Sequence, residues 1–264
     1  MNGPAMFEPR RVGADITQLG AYMPIPGFGV LPINTFVIQG ADPVLVDTGL
    51  AACREDFMAH LRRTVDPAAL RWIWITHADA DHIGNLQAVL AEAPQATVVT
   101  TFLGMAKMGL QGIALERVHL LNPGQELQLG DRRLKAVSPP TYDAPETTGL
   151  FDVSTRTLFS ADCFGALMEA PAESAAAMSE SALRDGCIAW ATLDAPWLGL
   201  VGSAELAATL DPIRHLKPAS ILGSHLPPAE GLNEILFSHL DAARSAPRFA
   251  GPDQKAFESL MAAA

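Results

Sequence analysis

The ten residues THADADHIGN, positions 76–85, hold His77, Asp79, Asp81 and His82. Imidazoles and carboxylates at this density form a donor set for metal ions; the alternative, a polar helix start, needs no histidine. Three further candidates end strand-like runs: Asp143 in TYDAPETTG, Asp162 in LFSADCFG and His225 in LGSHLPP. Ligands at strand ends sit on short loops fixed to a rigid scaffold. Together the seven offer four carboxylates and three neutral imidazoles, enough negative charge to balance two divalent cations. Hard oxygen donors shift preference from zinc toward iron or manganese, although geometry and metal supply also decide.

Asp47, in VDTG, is a candidate for hydrogen-bonding a ligand imidazole and fixing its tautomer. Asp81 and Tyr142 are the candidate catalytic residues. A phenol beside a metal pair can donate a proton, but one of only two tyrosines could equally pack on a sheet edge. Two ligand assignments stay open. Asp79 could be a non-binding residue that leaves a single-metal site, and Asp143 could be a loop acid with Glu146 or Tyr142 as the true neighbour. His60, His119, His215 and His239 stand outside these loops and read as structural.

The elements that must position this set follow from pattern. INTFVIQG (33–40) and PVLVDTG (43–49) form a β-hairpin. Phe57, Leu61 and Val65 share a face of a helix over 51–65. LRWIWIT (70–76) is a buried strand, 83–94 a helix stopped by Pro94, 96–101 a strand and 102–113 a glycine-weakened helix. Residues 125–140 read as two antiparallel strands turning at Gly130-Asp131, and 148–162 as a hairpin turning at Ser154-Thr155. The Ala/Ser-rich 170–186 has helical propensity; 187–217 is helical with a break at Gly202-Ser203. A last strand over 219–225 precedes a closing helix over 230–246, and the tail after Pro247 is expected to be mobile. Strands in two clusters, each followed by helices, fit the α+β class as a four-layer αββα sandwich, with residues 1–264 as one domain.

The bulk numbers narrow the function. Net charge is −11, with Lys/Arg runs no longer than pairs, so nucleic acid is excluded as a partner. Cys53, Cys163 and Cys187 show neither a disulfide framework nor zinc spacing, as for reduced thiols in a cytoplasmic protein. MNGPAMFEPRR lacks an apolar leader core. The most apolar stretch, 96–115, is interrupted by Lys107, Gln111 and glycines, so no membrane span is expected. Substrate loops are expected at YMPIPGFGVLP (22–32) and at 165–200, which carries Met168, Met178, Trp190 and Trp197.

THADADHIGN preceded by VDTG resembles the metallo-β-lactamase superfamily, whose usual signature is His-x-His-x-Asp-His. The likeness runs from near position 30 to 228. Asp79 in place of the second histidine is similar, more narrowly, to the diiron core of flavodiiron proteins, with its His-x-Glu-x-Asp followed by His, Asp and His. The spacings from Asp81 to Asp143, Asp162 and His225 are close to that pattern, and LFSADCFG is similar to the segment around its bridging aspartate. Asp143 departs from it, standing where the family has histidine. The resemblance implies one metal on His77, Asp79, Asp143 and a shared Asp162, and another on Asp81, His82, His225 and Asp162. It implies two metal ions, iron first and manganese or zinc as alternatives, in a homodimer. No flavodoxin domain follows the last ligand, so electrons would come from a separate donor protein.

Three functions fit. The first is a non-haem diiron protein that binds or reduces O₂ or NO. The second is a metal-dependent hydrolase of esters, thioesters or lactones, in which a bridging hydroxide attacks a carbonyl. The third is a binding protein that kept the fold and lost its metal stoichiometry.

Overall fold

The apolar residues from Ile16 to Ile38 fold as a long hairpin. Ile16–Ile25 pairs antiparallel with Gly29–Ile38 over its whole length, in the computed structural model that describes residues 3–130 and 132–263. This corrects the reading of 22–32 as a loop over the metal mouth. Its prolines suggested a loop, yet Pro24 and Pro32 lie where no further strand of the sheet pairs on the hairpin's outer edges, and such an edge tolerates a missing N–H. Gly29 has φ 92°, and a side chain there would collide with the Met168 carbonyl, so glycine is required twice over.

The hairpin opens the first sheet, whose order is Ala5–Met6, Ile16–Ile25, Gly29–Ile38, Val44–Val46, Trp72–Trp74, Thr97–Thr100 and Val118–Leu120, with Arg10–Arg11 also on Ile16–Ile25. From Val44 onward the pairings are parallel. Parallel neighbours need crossovers, and the helices Arg54–Thr64, Leu86–Glu92 and Phe102–Leu110 supply them. The second sheet runs Ala229–Glu230, Ser220–Leu222, Thr157–Phe159, Gly149–Asp152, Arg132–Val137, Glu126–Leu129. Only Thr157–Phe159 and Ser220–Leu222 pair in parallel there, joined through the helices Glu180–Asp194 and Ser203–Leu216.

Burial fixes the layers. Phe36, Val46, Trp74 and Val99 of one sheet meet Leu134, Leu150, Phe159 and Leu222 of the other in a shared core, with the Phe36 and Phe159 rings edge-on at 5.4 Å. Leu45, Ile73 and Val98 point outward onto Phe57, Leu61, Leu86 and Val89 of the first helical layer. Leu158 and Ile221 point outward onto Leu183, Leu206, Leu210 and Phe237 of the second, which ends with the helix Asn233–Arg244. The result is the four-layer αββα sandwich of the α+β class.

Other departures are local. The strand in 70–76 keeps only Trp72–Trp74, and the helix in 83–94 divides into Ala80–Ile83 and Leu86–Glu92. Within 170–186 a short 3₁₀ turn at Ala175–Ala177 precedes a helix that starts at Glu180, capped by the Ser179 hydroxyl, and runs on to Asp194. The turn expected at Gly130-Asp131 joins strands that do pair, but Asp131 lies outside the described residues. The tail is not free. It forms the helix Gln254–Ala263, with Phe249 against Phe28 and Phe257 and Leu260 lining an apolar cavity with Ile25 and Leu193. No helix among the described residues is long and apolar enough to cross a membrane.

Phe159 is the keystone of the inter-sheet core at 1% exposure. Phe159→Ala is expected to lower stability by about 3–5 kcal/mol in urea denaturation. The same truncation at exposed Leu110 should change it by less than about 0.5 kcal/mol.

Candidate metal centre

In each sheet the candidate donors leave the carboxyl ends of a parallel strand pair. Asp47 follows Val44–Val46 and His77 follows Trp72–Trp74; Asp162 follows Thr157–Phe159 and His225 follows Ser220–Leu222. Parallel pairing points both loops of each pair toward one edge, where ligands of such sheets collect. The backbone is strained there. Asp47 (φ 56°), Ala161 (φ 51°) and Phe164 (φ 70°) occupy left-handed conformations that non-glycine residues seldom adopt.

VDTG and HIGN interlock. The Thr48 backbone N–H and hydroxyl both donate to the His82 carbonyl, at 2.7 and 2.8 Å. The Asn85 amide donates to the Thr48 and Leu50 carbonyls. Gly84 passes so close to the Gly49 carbonyl that any side chain would collide with it. Asp47 accepts the Thr76 backbone N–H and hydroxyl, each at 2.8 Å, and holds His82 Nδ1 at 2.9 Å. The role read for Asp47 from the sequence is therefore the geometry observed.

Each histidine of the cluster is fixed through Nδ1. His82 donates to Asp47, His225 donates to the Pro32 carbonyl at 2.8 Å, and His77 lies 3.2 Å from the Thr76 hydroxyl. The segment read as a substrate loop thus anchors a histidine instead. All three Nε2 atoms turn toward Asp162, at 3.1 Å for His82, 3.3 Å for His225 and 3.4 Å for His77. Asp81 Oδ2 stands 3.4 Å from His225 Nε2 and 3.7 Å from His82 Nε2. Within 4.8 Å of one another lie donor atoms of His77, Asp79 and Asp143, and separately those of Asp81, His82 and His225. His77 Nε2, His82 Nε2 and Asp162 Oδ1 are fully buried without hydrogen-bond geometry to any described group. Buried polar atoms facing one another in this way fit a cation.

The local electrostatics agree. Burial works against the Asp162 carboxylate, but His225, His77 and His82 together pull its pKa well below the usual range. Burial pushes His225 down, and Asp162, then Asp81, reverse that and bring it to about 9. Burial likewise opposes charge on His82, which Asp162, Asp47 and Asp81 more than offset. Burial raises the carboxyl of Asp143.

Seven sequence-derived candidates converge in space; Tyr142 does not join them. Its ring is 40% exposed and leans on Trp197 at 5.3 Å. Asp79 also meets Lys107 Nζ at 3.3 Å, and that ammonium lies 2.5 Å from the buried Glu146. Trp190, in the 165–200 segment, donates to the Asp162 carbonyl and lies tilted against the His225 ring at 4.5 Å, so it closes the floor of the cluster. Three neighbours escaped the sequence reading. Lys107 was visible only as an interruption of an apolar run, and Glu146 only as a stand-in for Asp143. Asp194, within 4.8 Å of Asp143 and Asp162, carried no signal, because an aspartate ending a helix far along the chain resembles any surface acid.

Asp47→Asn should lower divalent metal affinity by about 10–100-fold, measured by competition with a chromophoric chelator, because His82 loses its anchor. A pH dependence follows from His225. Its folded pKa, about 9, is above its ordinary 6.5. The protonated form therefore adds stability that is complete below pH 6.5 and lost as pH rises through about 9. The chelator-treated protein should melt at progressively lower temperature across that window, and His225→Gln should flatten the trend. A melting temperature that rises with pH would contradict it.

A family model described as ODP family beta lactamase matches residues 31–192. Diflavin flavoprotein A 1 of Synechocystis sp. is 30% identical over 139 residues, 50% of this chain and 23% of that protein. Type A flavoprotein fprA of Rhodobacter capsulatus is 31% identical over 136 residues, 50% of this chain and 31% of that one. The chain thus spans well under half the length of either relative. Among solved structures, rubredoxin oxygen:oxidoreductase from Desulfovibrio gigas superposes with a TM-score of 0.79 at 17% identity, over 91% of this chain and 62% of that one. The flavodiiron protein of Giardia intestinalis superposes with a TM-score of 0.80 at 18% identity, over 90% and 59%. These structures share the fold. The family model covers more than half of the sequence, and the chain belongs to the ODP family of beta lactamases.

Proposed function

We propose that this chain is a dinuclear non-haem iron protein that binds or reduces a small diatomic molecule, O₂ or NO, with electrons from a separate donor protein. One observation carries the reading: two donor groups, His77/Asp79/Asp143 and Asp81/His82/His225, flank one buried carboxylate, Asp162, that faces an imidazole from each. The names of similar proteins, which include oxygen:oxidoreductase and flavodiiron protein, support it.

A bound iron pair would supply the redox equivalents and Lewis acidity for the diatomic. The chain's own residues would do the rest. Asp162, which faces His77 of one donor group and His82 and His225 of the other, would serve both. Asp79 and Asp143 with His77 would take one ion; Asp81, His82 and His225 would take the other. The carboxylates would offset the cations' charge and favour the oxidised state. Asp47 and the Pro32 carbonyl hold His82 and His225 by Nδ1, so each presents Nε2 inward without reorientation. Trp190 and the surrounding core exclude water from the Asp162 side. Lys107, itself held by the buried Glu146, pairs with Asp79 and restrains that carboxylate at the edge of the cluster. A homodimer in the cytoplasm belongs to the same reading.

Anaerobic loading with Fe(II) followed by metal analysis and Mössbauer spectroscopy tests it. The expected result is about two iron ions per chain in a coupled pair, with consumption of O₂ or NO once a chemical reductant and a rubredoxin-type or flavin donor are supplied. His77→Ala should drop the content to about one iron per chain and abolish the coupling. Retention of zinc alone, with no visible absorption after aerobic iron loading and robust ester turnover, would favour the hydrolase.

A further inference from the structure

We propose that Asp194 is an additional carboxylate ligand of the metal pair, placed on the side of the cluster bounded by Asp143 and Asp162; this rests on the dinuclear reading above.

Asp194 is the last residue of the helix Glu180–Asp194 and only 8% exposed. Its carboxylate oxygen lies within 4.8 Å of oxygens from both Asp143 and Asp162. Three carboxylates are thereby drawn together. Like charges at this distance repel strongly where water is excluded. The helix adds to the strain, since its C-terminal end carries partial negative charge and disfavours an acid. Its last turn offers no basic side chain. Among the described residues, no hydrogen-bond donor or ion-pair partner serves the Asp194 carboxylate. Lys107, the nearby ammonium, is engaged with Asp79 and Glu146 instead.

Two buried atoms point to what the space holds. Asp162 Oδ1 and His77 Nε2 are without hydrogen-bond partners; Asp162 stands in one group with Asp143 and Asp194, and His77 in the adjoining groups with Asp162 and with Asp143. A cation would satisfy the three clustered carboxylates and the unpartnered Asp162 Oδ1 together. Asp143 is exposed, whereas Asp194 is held by a helix. Asp194 would therefore supply a firmly positioned oxygen where Asp143 alone rests on a loop.

The test uses the full chain, stripped with chelator and titrated with Co(II). The parent is expected to take two equivalents. In Asp194→Asn, which keeps the side-chain volume, one equivalent should bind at least about tenfold more weakly, with altered Co(II) ligand-field bands. Asp194→Glu should restore part of the affinity. The melting temperatures should cross: chelated Asp194→Asn melts above the chelated parent because repulsion is relieved, whereas the Co(II)-loaded variant melts below the loaded parent. A residue with a merely structural role would lower both. Should Asp194→Asn not fold, Asp194→Ser carries the same test. The inference is overturned if the parent takes two equivalents and the variant matches it within about twofold with unchanged bands. A parent that cannot take two equivalents overturns the dinuclear reading and this inference with it.

Discussion

A carboxylate buried among three imidazoles at the seam of two sheets is the constraint on which the rest of this structure depends. Asp162 is almost entirely out of water and faces His77, His82 and His225. Such a group is tolerable only where positive charge surrounds it closely and stays in place. Placement here is rigid by construction. His77 and His82 come from one leaf of the sandwich and Asp162 and His225 from the other, and each loop leaves a short buried strand. The Phe36–Phe159 contact between the leaves therefore sets the spacing of the polar cluster as well as the apolar core.

Rigidity is reinforced by backbone that most residues avoid. Asp47, Ala161 and Phe164 all have positive φ, and all lie at or next to the cluster. Strain of this kind persists only when surrounding contacts over-determine it. At Asp47 those contacts are explicit: its carboxylate ties Thr76 and His82, while Thr48 grips the His82 carbonyl. The left-handed turn aims the Asp47 side chain back into the cluster.

Much of this was legible from residue types alone. Donors of the THADADHIGN run lie within one loop, so their joint presence is visible without knowing the fold. Asp143, Asp162 and His225 were readable because each ends a strand-like run, and the αββα layering because two strand clusters alternate with helices. What escaped depends on long-range geometry. The 16–38 hairpin was obscured by Pro26 in its turn and by Pro24 and Pro32 in its strands, the latter two acceptable only because no further strand pairs beside them. Asp194 lies at a helix end and meets Asp162 only through the return of the helical layer. Lys107 sits in an apolar stretch where a single charge reads as an interruption, yet it closes an ion pair with Asp79 over a long sequence separation. The tail beyond Pro247 carries Phe249, Phe257 and Leu260, whose partners, Ile25 and Phe28 at the tip of the hairpin, lie far away in sequence.

Donors drawn from both leaves also couple the interior of the sandwich to its contents. An ion gripped from both sides acts as a rivet: the leaves cannot separate without releasing it, and it cannot escape without the leaves yielding. By linkage, tighter occupancy would make opening of the whole seam less favourable. Durability of the folded chain would then track metal supply in its surroundings, quite apart from any reaction at the site.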